Sequence, residues 1–167
     1  MMTLDHKWSL ALYRFAKRHA LLRVVSVFCA SLIIWFLAVA AIAVTFTSFE
    51  RFKYLVGVLI IGGVLNLLLG KIHERKRPFD THKYDALIST WWLGGSFPSD
   101  HAMFATVFGS TLFFAGELWT WVAVASVLLV CLSRVFVGVH YISDVLAGLL
   151  VGSVAVTIML RLVPILG

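Results

Sequence analysis

Three short clusters in this chain hold residues able to do chemistry, each at the end of an apolar run. They are Glu74-Arg75-Lys76-Arg77-Pro78-Phe79, Phe97-Pro98-Ser99-Asp100-His101, and Ser133-Arg134 with His140 and Asp144 downstream. In the third, His140 and Asp144 are four residues apart, so on a helix they share a face and can hydrogen-bond. A carboxylate behind an imidazole fixes its tautomer, aims the free nitrogen outward and stabilises an imidazolium. A nucleophile or a general base could use that arrangement. Arg134 adds a planar guanidinium suited to bidentate contact with phosphate oxygens. Arg75, Lys76 and Arg77 bring positive charge, and Pro78 is expected to end a helix and fix the chain's exit direction. Residues 98–101 read as a helix start, where Ser99 or Asp100 caps and free backbone N–H groups bind an anion. His101 would then stand beside that anion, placed to protonate a leaving oxygen. The chemistry such an inventory fits is phosphoryl transfer.

Each feature also has an ordinary structural reading. A histidine at a span end is commonly interfacial, Arg and Lys there commonly reach for headgroups, and Pro-Ser-Asp is commonly just a cap. Convergence of two histidines, a paired aspartate and several arginines on one face favours the chemical reading.

The elements that must position these residues follow from composition. Hydrophobic residues make up 61% of the 167 residues and charged ones 13%, against roughly 25% charged in soluble domains. The chain belongs in a bilayer, and its net charge of +6 is better matched to lipid headgroups than to nucleic acid. Residues 5–23 mix Trp8, Leu12, Tyr13 and Phe15 with Lys7, Arg14, Lys17, Arg18 and Arg23, as an amphipathic helix at the interface does. Apolar runs at 24–49, 54–70, 101–116, 118–133 and 145–160 then give five expected transmembrane helices. Glycines 57, 62, 63 and 70 point to close helix approach in the second, and Trp91-Trp92 reads as an interfacial belt. The expected fold is an all-α integral membrane bundle of about five spans over 24–167, preceded by the amphipathic helix at 1–23, in one domain. No cleavable signal is evident. Cys29 and Cys131 lie inside apolar runs and read as small core or lipid-facing residues. Because each span crosses the bilayer, the loops after the second and fourth must share one membrane face. Distant segments can therefore build one site.

The three clusters resemble the motifs of the type-2 phosphatidic acid phosphatase superfamily. Ser-Arg-x5-His-x3-Asp is matched by Ser133, Arg134, His140 and Asp144, and Pro-Ser-Gly-His by Pro98-Ser99-Asp100-His101, with Asp for Gly. That Pro-Ser-Asp-His form is similar to the branch acting on undecaprenyl diphosphate. Lys-x6-Arg-Pro is matched by Arg77 and Pro78, with Arg75 two places earlier; its lysine register holds Gly70, and Lys71 comes one residue late. The resemblance covers residues 70–148. It implies that His140 attacks phosphorus and becomes phosphohistidine, Asp144 orients it, and His101 protonates the departing lipid phosphate. Arg77, Arg134, Ser99, Arg75 and Lys71 would bind phosphate, and Glu74 and Asp100 could contact substrate. It further implies no metal and no cofactor, and no carboxylate cluster suited to Mg²⁺ is visible.

The expected activity is thus removal of phosphate from a polyprenyl diphosphate in the bacterial cytoplasmic membrane. Phosphatidic acid, phosphatidylglycerol phosphate and lipid A are alternative substrates. A small proton-coupled transporter or channel is the contrasting class, but relays string polar groups through the membrane depth, whereas these gather at one end. Counting basic residues sets the site face in the cytoplasm; the resemblance sets it outward, which is the orientation expected here.

Overall fold

The computed structural model describes residues 3–90 and 94–163, so Trp91 and Trp92 lie outside the described residues. Helix α1 (Leu4–Arg18) is capped by Thr3, whose side chain accepts from His6 N, and has Asp5 in its first turn and Lys17 and Arg18 in its last. These charges complement the helix dipole. Its inward face carries Ser9, Tyr13 and Ala16, while Leu4, Trp8 and Phe15 stay exposed. The chain breaks at His19, earlier than residue 23, where the backbone is extended between the two helices (φ −102°, ψ 108°). Arg23 consequently lies in the first turn of the next helix, exposed.

Helices α2 (Ala20–Thr45), α3 (Phe49–Ile72), α6 (Glu117–Phe136) and α7 (Ile142–Leu162) are long and apolar enough to cross a membrane. They expose large hydrophobics such as Phe28, Trp35, Leu67, Trp121 and Leu150. A soluble protein rarely shows apolar patches of that extent, and a bilayer requires them. The third expected span is α5 (Asp100–Leu112), only 13 residues long, or about 20 Å, followed by a 3-10 turn at Phe113–Ala115. It falls short of the roughly 30 Å hydrocarbon layer. It can do so because it is the central helix, packed against α2, α3, α6 and α7, and lipid thickness does not set the length of a helix that neighbours enclose. A second departure is at Pro78. Helix α3 has already ended at Ile72, and Pro78 instead opens a short helix α4 (Pro78–His82), where its missing N–H would be unpaired anyway.

Packing fixes α5 against α7. A Cβ on Gly148 would run into the Ser99 carbonyl, and one on Gly152 would lie 2.7 Å from Thr106 Cβ. These two glycines, four residues apart, let the backbones approach as small residues do between membrane helices. In α3, Gly57 and Gly62 do face neighbours, Met159 and Met103, but Gly63 meets nothing within 4 Å. At the far end the Tyr54 hydroxyl donates to Ser110 Oγ at 2.9 Å, closing α3 on α5.

Gly148→Ala is expected to destabilise the protein by about 1–3 kcal/mol through overpacking. Gly63→Ala is expected to stay within about 0.5 kcal/mol. Melting temperatures in detergent check the contrast.

Candidate functional site

The end of the bundle where α3 and α6 finish and α5 and α7 begin gathers all three clusters. Backbone bonds tie the pieces together: Ser96 N donates to Arg75 O at 2.7 Å, Ser99 N to Asp144 O at 2.9 Å, and Leu87 N to Val137 O at 3.0 Å. Between α6 and α7 the chain turns at Gly138, whose φ of +81° favours glycine. The Tyr84 hydroxyl bonds to the Gly138 carbonyl there.

His140 precedes α7, so it and Asp144 do not share one helix. Asp144, with no solvent exposure, turns back to accept from Tyr141 N at 2.8 Å. It also accepts from Ser96 Oγ and from Arg75 Nη1, the latter at 2.7 Å. His140 Nδ1 sits 3.8 Å from Asp144 Oδ2 but 2.8 Å from the Ser96 carbonyl oxygen. A carbonyl can only accept, so Nδ1 carries the proton and Nε2 keeps the free lone pair. The tautomer expected from an Asp144 bond is therefore set by a main-chain oxygen, because the carboxylate is already taken by other donors. Burial pushes the His140 pKa below 6.5, and Arg134 and Arg77 push the same way against the pull of Asp144. The ring is neutral at neutral pH, as a nucleophile or base must be.

Arg77 and Arg134 are buried, at 6% and 4% exposure. A guanidinium has five N–H donors, yet these two make only long bonds. Arg77 reaches Gly94 O at 3.4 Å and Val139 O at 3.5 Å, Arg134 reaches Ala30 O at 3.3 Å, and Arg134 Nε has no partner among the described residues. Among those residues neither arginine is in an ion pair. Two buried cations with so few partners are costly unless an anion complements them. His101, in the first turn of α5, lies within electrostatic reach of His140, Arg134 and Arg77. Ser99 is the fully buried N-cap of α5, its Oγ accepting from Ala102 N, so the positive end of that helix faces the same spot.

A cavity of about 610 Å³ opens at this end, bordered by Lys71, Glu74, Arg77 and Asp100 among others; Arg77 links it to the buried groups, since His140, His101 and Arg134 do not line it. Gly70, in the register of the expected lysine, packs on the Phe97 carbonyl, where a Cβ would be 3.2 Å away; Lys71, the next residue, borders the cavity. Asp100 accepts from Asn66 Nδ2 at 2.6 Å. Arg75 differs from expectation. It borders the cavity, but Nη2 bonds Asp5 at 2.7 Å and Nη1 bonds Ser143 and Asp144 at 2.6 and 2.7 Å. Its guanidinium is held by carboxylates, which leaves it less available to a phosphate. Burial pushes the Asp5 carboxyl up, but the bonds from Ser143 and Arg75 outweigh it and leave it below 3.8, so it is ionised at neutral pH.

Sequence reasoning missed Ser96, Asp5 and Ser143. Ser96 lies two residues from the second cluster, but nothing in its type marks it as a partner of His140. Asn66 carried a usable signal as a polar residue inside an apolar span.

Comparison with known proteins identifies the family and the fold. Residues 51–166 match the PAP2 superfamily. The chain is 31% identical over 142 residues to the "Bacitracin transport permease protein BcrC" of Bacillus licheniformis, covering 81% of this chain and 69% of that protein. It is 33% identical over 110 residues to an undecaprenyl-diphosphatase of Sulfolobus acidocaldarius, covering 63% of this chain and 53% of that one. In fold it is similar to the crystal structure of Aquifex aeolicus LpxE, with a TM-score of 0.80 at 24% identity over 96% of both chains.

Orthophosphate at about a hundred times its Kd should stabilise the protein by about 2.7 kcal/mol if it binds only the folded state. The accompanying rise in melting temperature should be lost in Arg134→Ala and Arg77→Ala. A shift equal to that of the unaltered chain would remove these arginines from the anion site.

Proposed function

Because the chain belongs to the PAP2 superfamily, we propose that it is a membrane lipid phosphatase acting on a polyprenyl diphosphate such as undecaprenyl diphosphate. The observation that carries this reading is the neutral His140, whose Nδ1 is bonded to the Ser96 carbonyl, beside two buried and under-partnered guanidinium groups. The relative named undecaprenyl-diphosphatase supports the choice of substrate.

In the proposed reaction the terminal phosphoryl group sits between Arg77, Arg134 and the N-terminus of α5, with Lys71 at the cavity border beside the second phosphate. His140 Nε2 attacks phosphorus, and the bond to the bridging oxygen breaks. His101 gives its proton to the lipid monophosphate that leaves; the dianion bound next to it favours its protonated form beforehand. Water then attacks the phosphohistidine, returns a proton to His101 and releases inorganic phosphate, restoring both rings. Asp144 acts at one remove: it fixes the α7 N-terminus and Ser96, and with them the ring. Glu74 and Asp100 border the cavity where a headgroup would contact them. All the groups used belong to the chain, so the reaction is proposed to need no metal, and an added chelator should leave the rate unchanged. The proposed setting is the bacterial cytoplasmic membrane with the site facing outward. A membrane-impermeant thiol reagent should then label a cysteine introduced at Glu74 in intact cells.

His140→Ala is expected to lower phosphate release from undecaprenyl diphosphate at least about a thousandfold. The same assay on phosphatidic acid, phosphatidylglycerol phosphate and lipid A ranks the alternatives, and a faster rate on one of these would reassign the substrate. The reactive form of His140 is the neutral one and burial lowers its pKa. The value of kcat/KM, which reports the free enzyme, should therefore hold as pH falls to 6.5 and decline only below it; a kcat/KM profile with its acid limb above 6.5 would contradict this.

A further inference from the structure

The family match begins at residue 51, so α1 lies outside it, yet α1 side chains bond residues that adjoin the site. Two of them close the N-terminus of α7, whose first N–H groups have no partner within their own helix. Ser9 Oγ accepts from Ile142 N at 3.0 Å and Asp5 Oδ1 accepts from Ser143 N at 3.1 Å. Asp5 Oδ2 takes the Ser143 hydroxyl at 2.6 Å and Arg75 Nη2 at 2.7 Å. The same guanidinium gives Nη1 to Asp144 Oδ1, and its carbon lies 3.9 Å from the centre of the Tyr141 ring, on which His6 also stacks at 4.3 Å.

Arg75 therefore bridges two carboxylates. Asp144 has one oxygen for Arg75 and the other for Ser96 Oγ and Tyr141 N. Ser96 in turn offers His140 its carbonyl. A continuous run of contacts leads from α1 to the reacting ring: Asp5, Arg75, Asp144, Ser96, His140.

We propose that Asp5 is a positioning residue for the phosphoryl-transfer site, holding Arg75 back from the bound anion and against Asp144 so that Ser96 and His140 keep their places. The inference rests on the phosphatase reading given above. Its bland counterpart makes α1 an interfacial anchor alone, with Leu4, Trp8 and Phe15 outward and no bearing on turnover. Without Asp5, half of the Arg75 fork loses its partner while the guanidinium still borders the cavity. It is then drawn toward the phosphate and pulls away from Asp144.

The test is a double-mutant cycle on the full chain in detergent, with Asp5→Asn, Arg75→Gln and both together. Asp5→Asn is expected to lower kcat by about ten- to a hundredfold with KM within about twofold, and to make inorganic phosphate a stronger product inhibitor. In the Arg75→Gln background it should add no further loss. Ser9→Ala, which removes an α1–α7 bond but leaves the Asp5–Arg75 pair, should not reproduce the fall in kcat. Equal losses in both backgrounds, or the same fall from Ser9→Ala, would overturn the inference. Absence of turnover by the unaltered chain would count against the phosphatase reading instead. The Asp5–Arg75 coupling is then judged from the melting temperatures of the same four proteins, where additive losses overturn it.

Discussion

A carboxylate shut away from water must have its oxygens met by donors, and Asp144 draws its donors from three separate segments. Arg75 comes from the chain leaving α3, Ser96 from the loop before α5, and Tyr141 N from the turn into α7. Its own carbonyl receives Ser99 N, the cap of α5. Leaving a buried charge unpartnered costs about 3–5 kcal/mol, so these segments are held in register by one side chain. The glycine contact between α5 and α7 keeps Ser99 and Asp144 adjacent in the first place. Helix packing and polar satisfaction thus specify the same arrangement.

That arrangement explains how a small membrane protein keeps two guanidinium groups buried close together. The cost of concentrating positive charge is carried by the fold: by the Asp144 hub, by helix packing around α5, and by carbonyls that offer Arg77 and Arg134 only long bonds. The net positive field left over suits an anionic group. Arg75 is the exception that sharpens the pattern, since it has the same chemistry as its neighbours but is neutralised by Asp5 and Asp144.

Much of the candidate site was legible in the sequence because its residues are close along the chain, although His140 and Asp144 come together without sharing a helix. Ser133, Arg134, His140 and Asp144 lie within a dozen residues, and Ser99 and His101 start a helix whose cap is written in residue type. Hydropathy likewise exposed the apolar runs and the amphipathic α1. The illegible parts were those decided by contacts between distant segments. The Ser96–His140 bond joins residues 44 apart, and the Asp5–Ser143 bonds join residues 138 apart. The brevity of α5 could not be read from hydropathy, since burial among helices and burial in lipid favour the same apolar residues. Pro78 was misjudged for a related reason: proline marks a helix boundary, but only the structure shows on which side of it the helix lies.

The bond from His140 to the Ser96 carbonyl has one more implication. Main-chain oxygen is common to every amino acid and has no proton to gain over the range where proteins stay folded, so neither substitution at position 96 nor acidity deletes it directly. A side-chain carboxylate in that place would release the ring once protonated. The orientation of the imidazole is instead governed by the path of the loop from Gly94 to Ser99, and whatever bends that path turns the ring.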